Sequence, residues 1–228
     1  MKQHPGDAEF DRFAGDYDRM LADSLPVDGG DNEVFAAYKV GEVAIDVGPA
    51  SPVRVLDFGC GIGRSLVHLG RAFPRSELWG YDPSQASLDQ ARERAQGARL
   101  CAETVSLPEG AFDVVFMANV LHHVPLDARP GVLADCRRLL AEKGSLWVFE
   151  HNPRNFVTRR VFDACPFDRG ASMLQREETI ALGTRAGLRP TRAAYTLFLP
   201  LAHRAWLRCQ RALAWLPLGA QYCVRFTR

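Results

Sequence analysis

The chain has 228 residues, of which 47% are apolar and 24% charged, and its formal net charge is +1. This length suffices for one sizeable core, and the composition is that of an ordinary globular protein. A net charge so close to zero gives no electrostatic reason to expect DNA or RNA as a partner, so the bulk composition argues against nucleic-acid binding.

The cysteines and the termini exclude several other classes. None of the six cysteines forms a CxxC pair or has histidine neighbours at zinc-ligand spacing, which predicts reduced thiols and no metal site. Residues 1–11 are polar and acidic, unlike a signal or transit peptide. No apolar run approaches the roughly 18 residues of a membrane span. These features predict a cytoplasmic protein.

Helical spacing dominates the first part of the chain. Apolar residues from Phe10 to Leu21, Tyr17 among them, recur as on one face of a helix, and a second helix is predicted over 32–47. Because both helices precede the first strand, residues 1–50 are predicted to be a helical lid added to the sheet.

Short apolar runs then alternate with helical segments. Strands are predicted at 53–57, 77–81, 98–101, 112–118 and 145–150, with helices at 64–73, 84–95 and 127–140 between them. Solid apolar runs such as Val114 to Met117 are typical of parallel strands buried on both faces. The predicted fold class is α/β, with a doubly wound, mostly parallel, seven-stranded Rossmann-like sheet.

The remaining sequence is predicted to complete the same single domain, after a cofactor-binding core over 51–150. Residues 151–175 break the rhythm with prolines and scattered aromatics, and we interpret them as an apolar insertion that covers a substrate. A C-terminal part, 176–228, is predicted to add helices at 176–186 and 202–216 and strands at 193–199 and 221–226.

The central motif is a glycine loop that follows the first predicted strand. Gly59, Gly61 and Gly63 stand at alternate positions directly before a predicted helix. This GxGxG spacing differs from the GxGxxG of dinucleotide-binding loops. Asp57 lies two residues before the first glycine, where its charge would repel a pyrophosphate and attract a cationic ligand group. The loop therefore favours S-adenosylmethionine, whose methionine part carries an amino group.

A second acid closes the second predicted strand. Asp82 lies about 20 residues beyond the glycine loop in the sequence. An acidic side chain at this spacing can accept hydrogen bonds from the ribose hydroxyls of a bound nucleotide. The alternative is that Asp82 only caps the helix that begins near Ser84.

These residues resemble the class I, Rossmann-like S-adenosylmethionine-dependent methyltransferases of the type 11/12 group. The resemblance covers residues 53–152 and includes VLDFGCGIG, GYDPS, LPEGAFDVVFMANVLHHV and EKGSLWVFEHNP. It implies that the methionine part is held by the glycine loop and its flanks, namely Asp57, Gly59, Cys60, Gly61 and Gly63, with Lys39 near the carboxylate. It places Asp82 and Pro83 at the ribose, Ala102 and Glu103 beside adenine, and Asn119 close to the cofactor. Many members have an acid where this chain has Cys101, so Glu103 or the backbone would have to meet the adenine amino group.

Three residues are candidates for the methyl-transfer step itself. His151 follows the fifth strand directly, where a general base or an acceptor-orienting group would project; a structural histidine is the alternative. His123 matches a histidine that is common in the family, and bracing of its loop is the stronger interpretation. Tyr17 lies on the first helix, where it either contacts the sulfonium or simply packs. His203 and His122 are weaker candidates.

The predicted function is methyl transfer to oxygen or carbon of a small, apolar biosynthetic intermediate. Two alternatives stay open: a non-catalytic S-adenosylmethionine-binding partner, and a nicotinamide-dependent dehydrogenase, which the glycine spacing and Asp57 oppose. The segment 202–216 combines arginines with Trp206, so weak peripheral contact with a membrane is a further alternative to packing on the sheet. The sequence carries no signal for an oligomeric state.

Overall fold

The computed structural model describes residues 32–48, 53–199 and 204–228. In chain order the elements are α1 (Asn32–Val47), β1 (Arg54–Phe58), α2 (Arg64–Ala72), β2 (Glu77–Tyr81), α3 (Gln85–Arg94), β3 (Arg99–Cys101), β4 (Phe112–Ala118), α4 (Arg129–Leu139), β5 (Leu140–His151), α5 (Phe156–Ala164), α6 (Arg176–Arg185), β6 (Arg189–Thr196), α7 (Arg204–Gln210) and β7 (Gln221–Thr227). Short 3₁₀ turns lie at Thr104–Ser106, Leu121–His123, Pro166–Asp168 and Arg211–Leu213.

The strands form one seven-stranded sheet in the order β3-β2-β1-β4-β5-β7-β6. Strands β1 to β5 pair in parallel, whereas β7 is antiparallel to both of its neighbours, β5 and β6. The predicted fold class is therefore confirmed. Because strands β1 and β4 end side by side, the loops that follow them meet at one edge, where open α/β sheets bind their ligands.

Because successive side chains of the central strands point to opposite faces, both faces of the sheet contribute to a hydrophobic core. Val55, Val114 and Phe116 pack on one face with Val40 and Val43 of α1. The residues between them face the other side, where α4 and α6 cover the sheet. Apolar side chains on both faces explain why these strands appear as solid apolar runs in the sequence.

Helix α1 is the described part of the segment 1–50, which is predicted to form a helical lid. It packs against one face of the sheet, where its apolar stripe carries the fully buried Val43 into the core. The lid itself stays a prediction. The first predicted helix, with Tyr17, lies outside the described residues.

Two C-terminal boundaries also differ from the prediction. Strand β6 begins at Arg189 and ends at Thr196, several residues before the expected positions. The expected helix over 202–216 is a shorter α7 followed by the turn Arg211–Leu213, which leaves Trp215 exposed. Of the arginines that suggested a membrane-facing side, Arg211 pairs with Asp46 at 2.7 Å and with Glu42. No helix in the described ranges is long and apolar enough to cross a membrane.

Candidate active site

The glycine loop turns sharply between β1 and α2. Gly59 and Gly63 have φ values of 79° and 83°, a region that other residues rarely adopt. The amides of Gly59 and Cys60 both donate to the carbonyl oxygen of Tyr81, at 2.7 and 2.9 Å. A Cβ on Gly59 would approach Val120 to 2.5 Å, whereas one on Gly61 would meet no atom of the described residues within 4 Å. Gly61 therefore presents its backbone to open space, as a ligand-binding loop requires.

Asp82 holds the tip of this loop. Its carboxylate accepts hydrogen bonds from the amides of Gly61 at 2.8 Å and of Ser84 at 3.0 Å. The cap of α3 is Ser84 itself, whose hydroxyl accepts from the amide of Ser87. The interpretation of Asp82 as nothing more than a helix cap is therefore wrong, because the carboxylate joins β2 to the glycine loop. The neighbouring Pro83 is exposed.

Asp57 and Lys39 are two buried ionisable residues that influence each other's pKa. Asp57 is 2% exposed and Lys39 is 5% exposed. Burial and the nearby Asp82 raise the pKa of Asp57 to about 8, although Lys39 opposes the shift. Burial likewise lowers the pKa of Lys39 to about 8, against the pull of Glu150 and Asp57. Among the described residues Asp57 Oδ2 has no hydrogen-bond partner, which is costly for a buried carboxyl unless a ligand donates to it.

Asn119 directly follows β4 and has a left-handed conformation. Its φ is 59°, one of two positive values at non-glycine residues in the described ranges. The Asn119 amide donates to the carbonyl oxygen of Phe149 at 2.8 Å, and its side-chain oxygen lies 3.4 Å from Gln221 Nε2. Backbone strain of this kind concentrates at ligand sites, which suits the predicted position beside the cofactor.

The expected adenine contacts lie after β3. The Cys101 thiol donates to the carbonyl oxygen of Glu103 at 2.9 Å and so is turned toward the backbone. Glu103 is exposed and Ala102 is partly buried. The Cys60 thiol is buried within the loop, 3.7 Å from the carbonyl oxygen of Gly61.

A carboxylate that the sequence analysis did not select organises the other side of the site. Glu150, fully buried near the end of β5, accepts hydrogen bonds from the amides of Val120 at 3.0 Å and Leu121 at 2.7 Å. Its second oxygen lies 2.5 Å from His122 Nδ1. Burial would raise the pKa of Glu150, but the charge and hydrogen bond of His122, the nearby His151 and the Leu121 amide hold it below its usual value. An acid at the carboxyl end of an apolar strand, as at Asp57, is the sequence signal that could have identified it.

Three histidines and an aspartate gather at the ends of β4 and β5. The ring centroids of His122 and His123 are 4.1 Å apart, and those of His122 and His151 are 5.2 Å apart. Asp168, from the insertion, lies 3.5 Å from His122 Nε2 and 3.6 Å from His123 Nε2. The donor atoms of His122, His123 and Asp168 all lie within 4.8 Å of one another, an arrangement that could hold a metal ion. Asp168 is distant in sequence from both histidines, so no spacing rule could have identified the set.

The histidines differ in their electrostatic environment. Burial alone would lower the pKa of His122, but Glu150 and Asp168 raise it to about 9. Burial and the adjacent His122 lower the pKa of His123 to about 4 and that of His151 to about 3. His151 is consequently neutral at pH 7 with a nitrogen lone pair available.

Besides Asp168, the described part of the insertion brings an aromatic side chain to this cluster. Phe162 of α5 packs edge-on against His122 and His151, with centroid distances of 5.6 and 5.8 Å. Phe156 of the same insertion is 72% exposed, whereas Phe162 is buried. Tyr17 and His203 lie outside the described residues.

Comparison with known proteins identifies the family. Residues 56–146 match the family model of a methyltransferase domain. A trans-aconitate 2-methyltransferase from Methylobacterium nodulans is 36% identical over 124 residues, which is 52% of this chain and 47% of that protein. A demethylmenaquinone methyltransferase from Thermotoga maritima is 32% identical over 149 residues, or 64% and 61% of the two chains. The chain thus spans less than two thirds of either relative.

The fold agrees with these matches. The crystal structure of an S-adenosylmethionine-dependent methyltransferase from Thermotoga maritima superposes with a TM-score of 0.67 at 21% identity, covering 97% of this chain and 99% of that one. With the glycine loop, the two acids and the strand order, these matches lead to one assignment. Residues 56–146 carry a methyltransferase domain, and the fold around them is that of the class I, Rossmann-like S-adenosylmethionine-dependent methyltransferases.

Proposed function

We propose that this chain transfers the methyl group of S-adenosylmethionine to an oxygen or carbon atom of a small molecule held over the ends of β4 and β5. The observation that carries the proposal is Asp57, a buried carboxyl beside the glycine loop with one oxygen that no described residue contacts by a hydrogen bond. When bound, the cofactor supplies a methyl group activated by the sulfonium sulfur.

The residues present fit this cofactor. Asp57 would accept a hydrogen bond from the amino group of its methionine part, and Lys39 would meet the carboxylate. Gly61 leaves room for the ligand because a side chain there would stand in the open space above the loop. Asp82 fixes the loop through the Gly61 amide and would use its remaining acceptor capacity for ribose hydroxyls. Ala102 and Glu103 would flank the adenine.

The acceptor side is defined by the strand ends next to this loop. Asn119 and His151 end β4 and β5, so both lie at the edge where a methyl acceptor must approach. His151 would orient the acceptor or accept its proton on the imidazole ring, while Phe162 excludes water from one side. Alignment of reacting groups is worth roughly 7–11 kcal/mol in intramolecular model reactions, so this enclosure can supply much of the rate enhancement.

The chemical class of the acceptor is the open part of the proposal. The names of the two relatives point in different directions, since trans-aconitate is a polar acid and demethylmenaquinone is an apolar quinone derivative. Phe162 beside a histidine cluster suits an acceptor that combines an apolar body with an oxygen. A protein that only binds the cofactor would need no such cluster, which is why we rank catalysis above a purely binding role.

The first experiment is calorimetric titration of the purified protein with S-adenosylmethionine, S-adenosylhomocysteine and NADH. We expect micromolar binding of the first two and none of NADH. Asp82→Ala should weaken binding at least about tenfold because the loop loses its tether, whereas Asp89→Ala, an exposed acid on α3, should not. Binding of NADH alone would overturn the proposal.

Transfer itself is tested with a labelled methyl donor and a panel of carboxylic acids, phenols and quinols. Label in an extracted product establishes catalysis and the acceptor class together. Tight cofactor binding with no transfer to any member of the panel would favour the non-catalytic alternative.

A further inference from the structure

We propose that His122, His123 and Asp168 bind one divalent transition-metal ion. The three side chains come from two parts of the chain, the turn after β4 and the turn that follows α5, and the fold brings their donor atoms within 4.8 Å of one another. Metal binding itself is independent of the proposed function; the role of the ion toward a methyl acceptor rests on it.

The distances suit a first-row ion. Asp168 Oδ1 lies 3.5 Å from His122 Nε2 and 3.6 Å from His123 Nε2. In a tetrahedral site with bonds of about 2.1 Å, neighbouring ligand atoms are about 3.4 Å apart. Only small side-chain movements would therefore be needed.

The orientation of His122 is already that of a metal ligand. Glu150 accepts hydrogen bonds from two backbone amides with one oxygen and lies 2.5 Å from His122 Nδ1 with the other. An ionised carboxylate at Nδ1 fixes the proton there and directs Nε2 toward Asp168. Carboxylate–histidine–metal chains of this kind orient ligands and increase their basicity.

The donor set indicates the kind of ion. Two imidazoles and one carboxylate suit zinc and iron, whereas calcium and magnesium prefer oxygen ligands throughout. The site is largely protected from water, since the side chains of His122 and Asp168 are 1% and 11% exposed. With three protein ligands, an ion would keep at least one position for an oxygen of the methyl acceptor, which makes oxygen-bearing acceptors the favoured class.

The competing explanation is an ion pair without metal. Asp168 then only fastens the insertion to the turn after β4, where the Ser172 amide also donates to the His122 carbonyl oxygen at 2.9 Å. The two explanations differ in one measurable property, the binding of added metal.

The test uses the full chain after treatment with a chelator, in a Cys209→Ser background because Cys209 is an exposed thiol. Zn²⁺ is titrated in a calorimeter, and Co²⁺ is followed by its visible absorption. The variants are Asp168→Asn and His123→Gln, and the matched control is Asp163→Asn, an exposed acid of the same insertion. Far-ultraviolet circular dichroism verifies that each variant is folded, and its binding of S-adenosylhomocysteine is measured separately.

We expect one ion per chain in the background protein and in the control, with affinity reduced at least about tenfold in both ligand variants. No binding, or equal binding by all four proteins, would overturn the metal site. If S-adenosylhomocysteine binds and metal does not, the metal site is wrong while the proposed methyl transfer stands. If metal binds as expected and S-adenosylhomocysteine does not, the metal site stands and the cofactor assignment fails.

Discussion

Asp57 is the residue at which ligand binding and protonation are most directly coupled. Its pKa of about 8 means that the carboxyl is mostly protonated at pH 7. A cofactor ammonium placed beside it favours the ionised form and lowers that pKa. We therefore expect binding of S-adenosylhomocysteine at pH 7 to release close to one proton. The binding enthalpy, measured in buffers of different ionisation enthalpy, gives this number from its slope.

The raised pKa of Asp57 also affects the pH dependence of stability in the ligand-free protein. The folded state retains the Asp57 proton up to about pH 8, whereas the unfolded chain releases it near the ordinary value of 3.8. The contribution of Asp57 to stability consequently falls as the pH rises between these values. Asp57→Asn should abolish the proton release and remove this part of the pH dependence. A binding enthalpy that is independent of the buffer in the unmodified protein would contradict the prediction.

His151 is the residue whose role separates catalysis from binding. Its replacement by alanine should lower kcat by about 10²–10⁴-fold if the acceptor loses a proton during transfer. The affinity for S-adenosylhomocysteine should stay the same because the proposed place of His151 is beside the acceptor and not the cofactor. Steady-state kinetics and calorimetry measure the two quantities. The matched control is His68→Gln, a histidine of α2 that pairs with Glu33; equal loss of activity in both variants would remove the special role of His151.

At the scale of elements, replacing two helical glycines by alanine should change the free energy of unfolding in opposite directions. Gly183 of α6 faces β7, and a Cβ there would come within 2.4 Å of the buried Phe226 ring. Gly131 of α4 has nothing within 4 Å of the same position. Gly183→Ala should lower the free energy of unfolding by about 1–3 kcal/mol because the core is overpacked. Gly131→Ala should raise it by about 0.4–1 kcal/mol because alanine restricts the unfolded chain.

Urea unfolding of the two variants and the parent protein measures both effects. Each variant is the control for the other, since both add one methyl group to a helix. Equal shifts in the same direction would show that packing of α6 on β7 does not limit stability.

The boundaries of the elements were predictable where burial was complete and less so at the edge of the sheet. Strands β1, β2 and β4 lie where their apolar runs indicated. The first residues of β6 are polar and include Pro190, which an edge strand tolerates, so no hydrophobic signal marks its start. Helix α5 was missed although Asn155 accepts a hydrogen bond from the Thr158 amide as its cap. The prolines and aromatics around it obscured that signal.

The two sides of the candidate site also differ in how far they could be predicted from the sequence. The proposed cofactor side is built from short segments, so spacing alone was enough to predict the glycine loop, Asp57 and Asp82 as its residues. The acceptor side is assembled across the fold, with Asp168 meeting two histidines from a distant turn. Neither the contacts of Asp168 with the histidines nor the buried hydrogen bonds of Glu150 produce a periodic pattern in the sequence. Structure was needed because the partners are set by packing of the insertion.

At the scale of the whole molecule, the cofactor loop is joined to the core on both faces of the sheet. The Asp57 strand, β1, pairs with β2 and β4 at the centre of the sheet, and Lys39 comes from α1 on one face. Unfolding any of these elements would dismantle the cofactor site. A ligand that binds there should therefore stabilise the chain as a unit.

S-adenosylhomocysteine at about 100 times its dissociation constant should stabilise the folded state by about 2.7 kcal/mol, provided that the unfolded chain does not bind it. For a domain of this size that corresponds to a rise in Tm of about 5–10 °C. Thermal unfolding with increasing ligand measures the shift, which should be absent with NADH and strongly reduced in Asp82→Ala. An equal rise in Tm with NADH would show that the site does not distinguish S-adenosylhomocysteine from a dinucleotide. A full shift in Asp82→Ala would mean that the glycine loop binds the ligand without the hydrogen bond between Asp82 and the Gly61 amide. The hydrogen bonds from the amides of Gly59 and Cys60 to the Tyr81 carbonyl oxygen would then hold the loop in place by themselves.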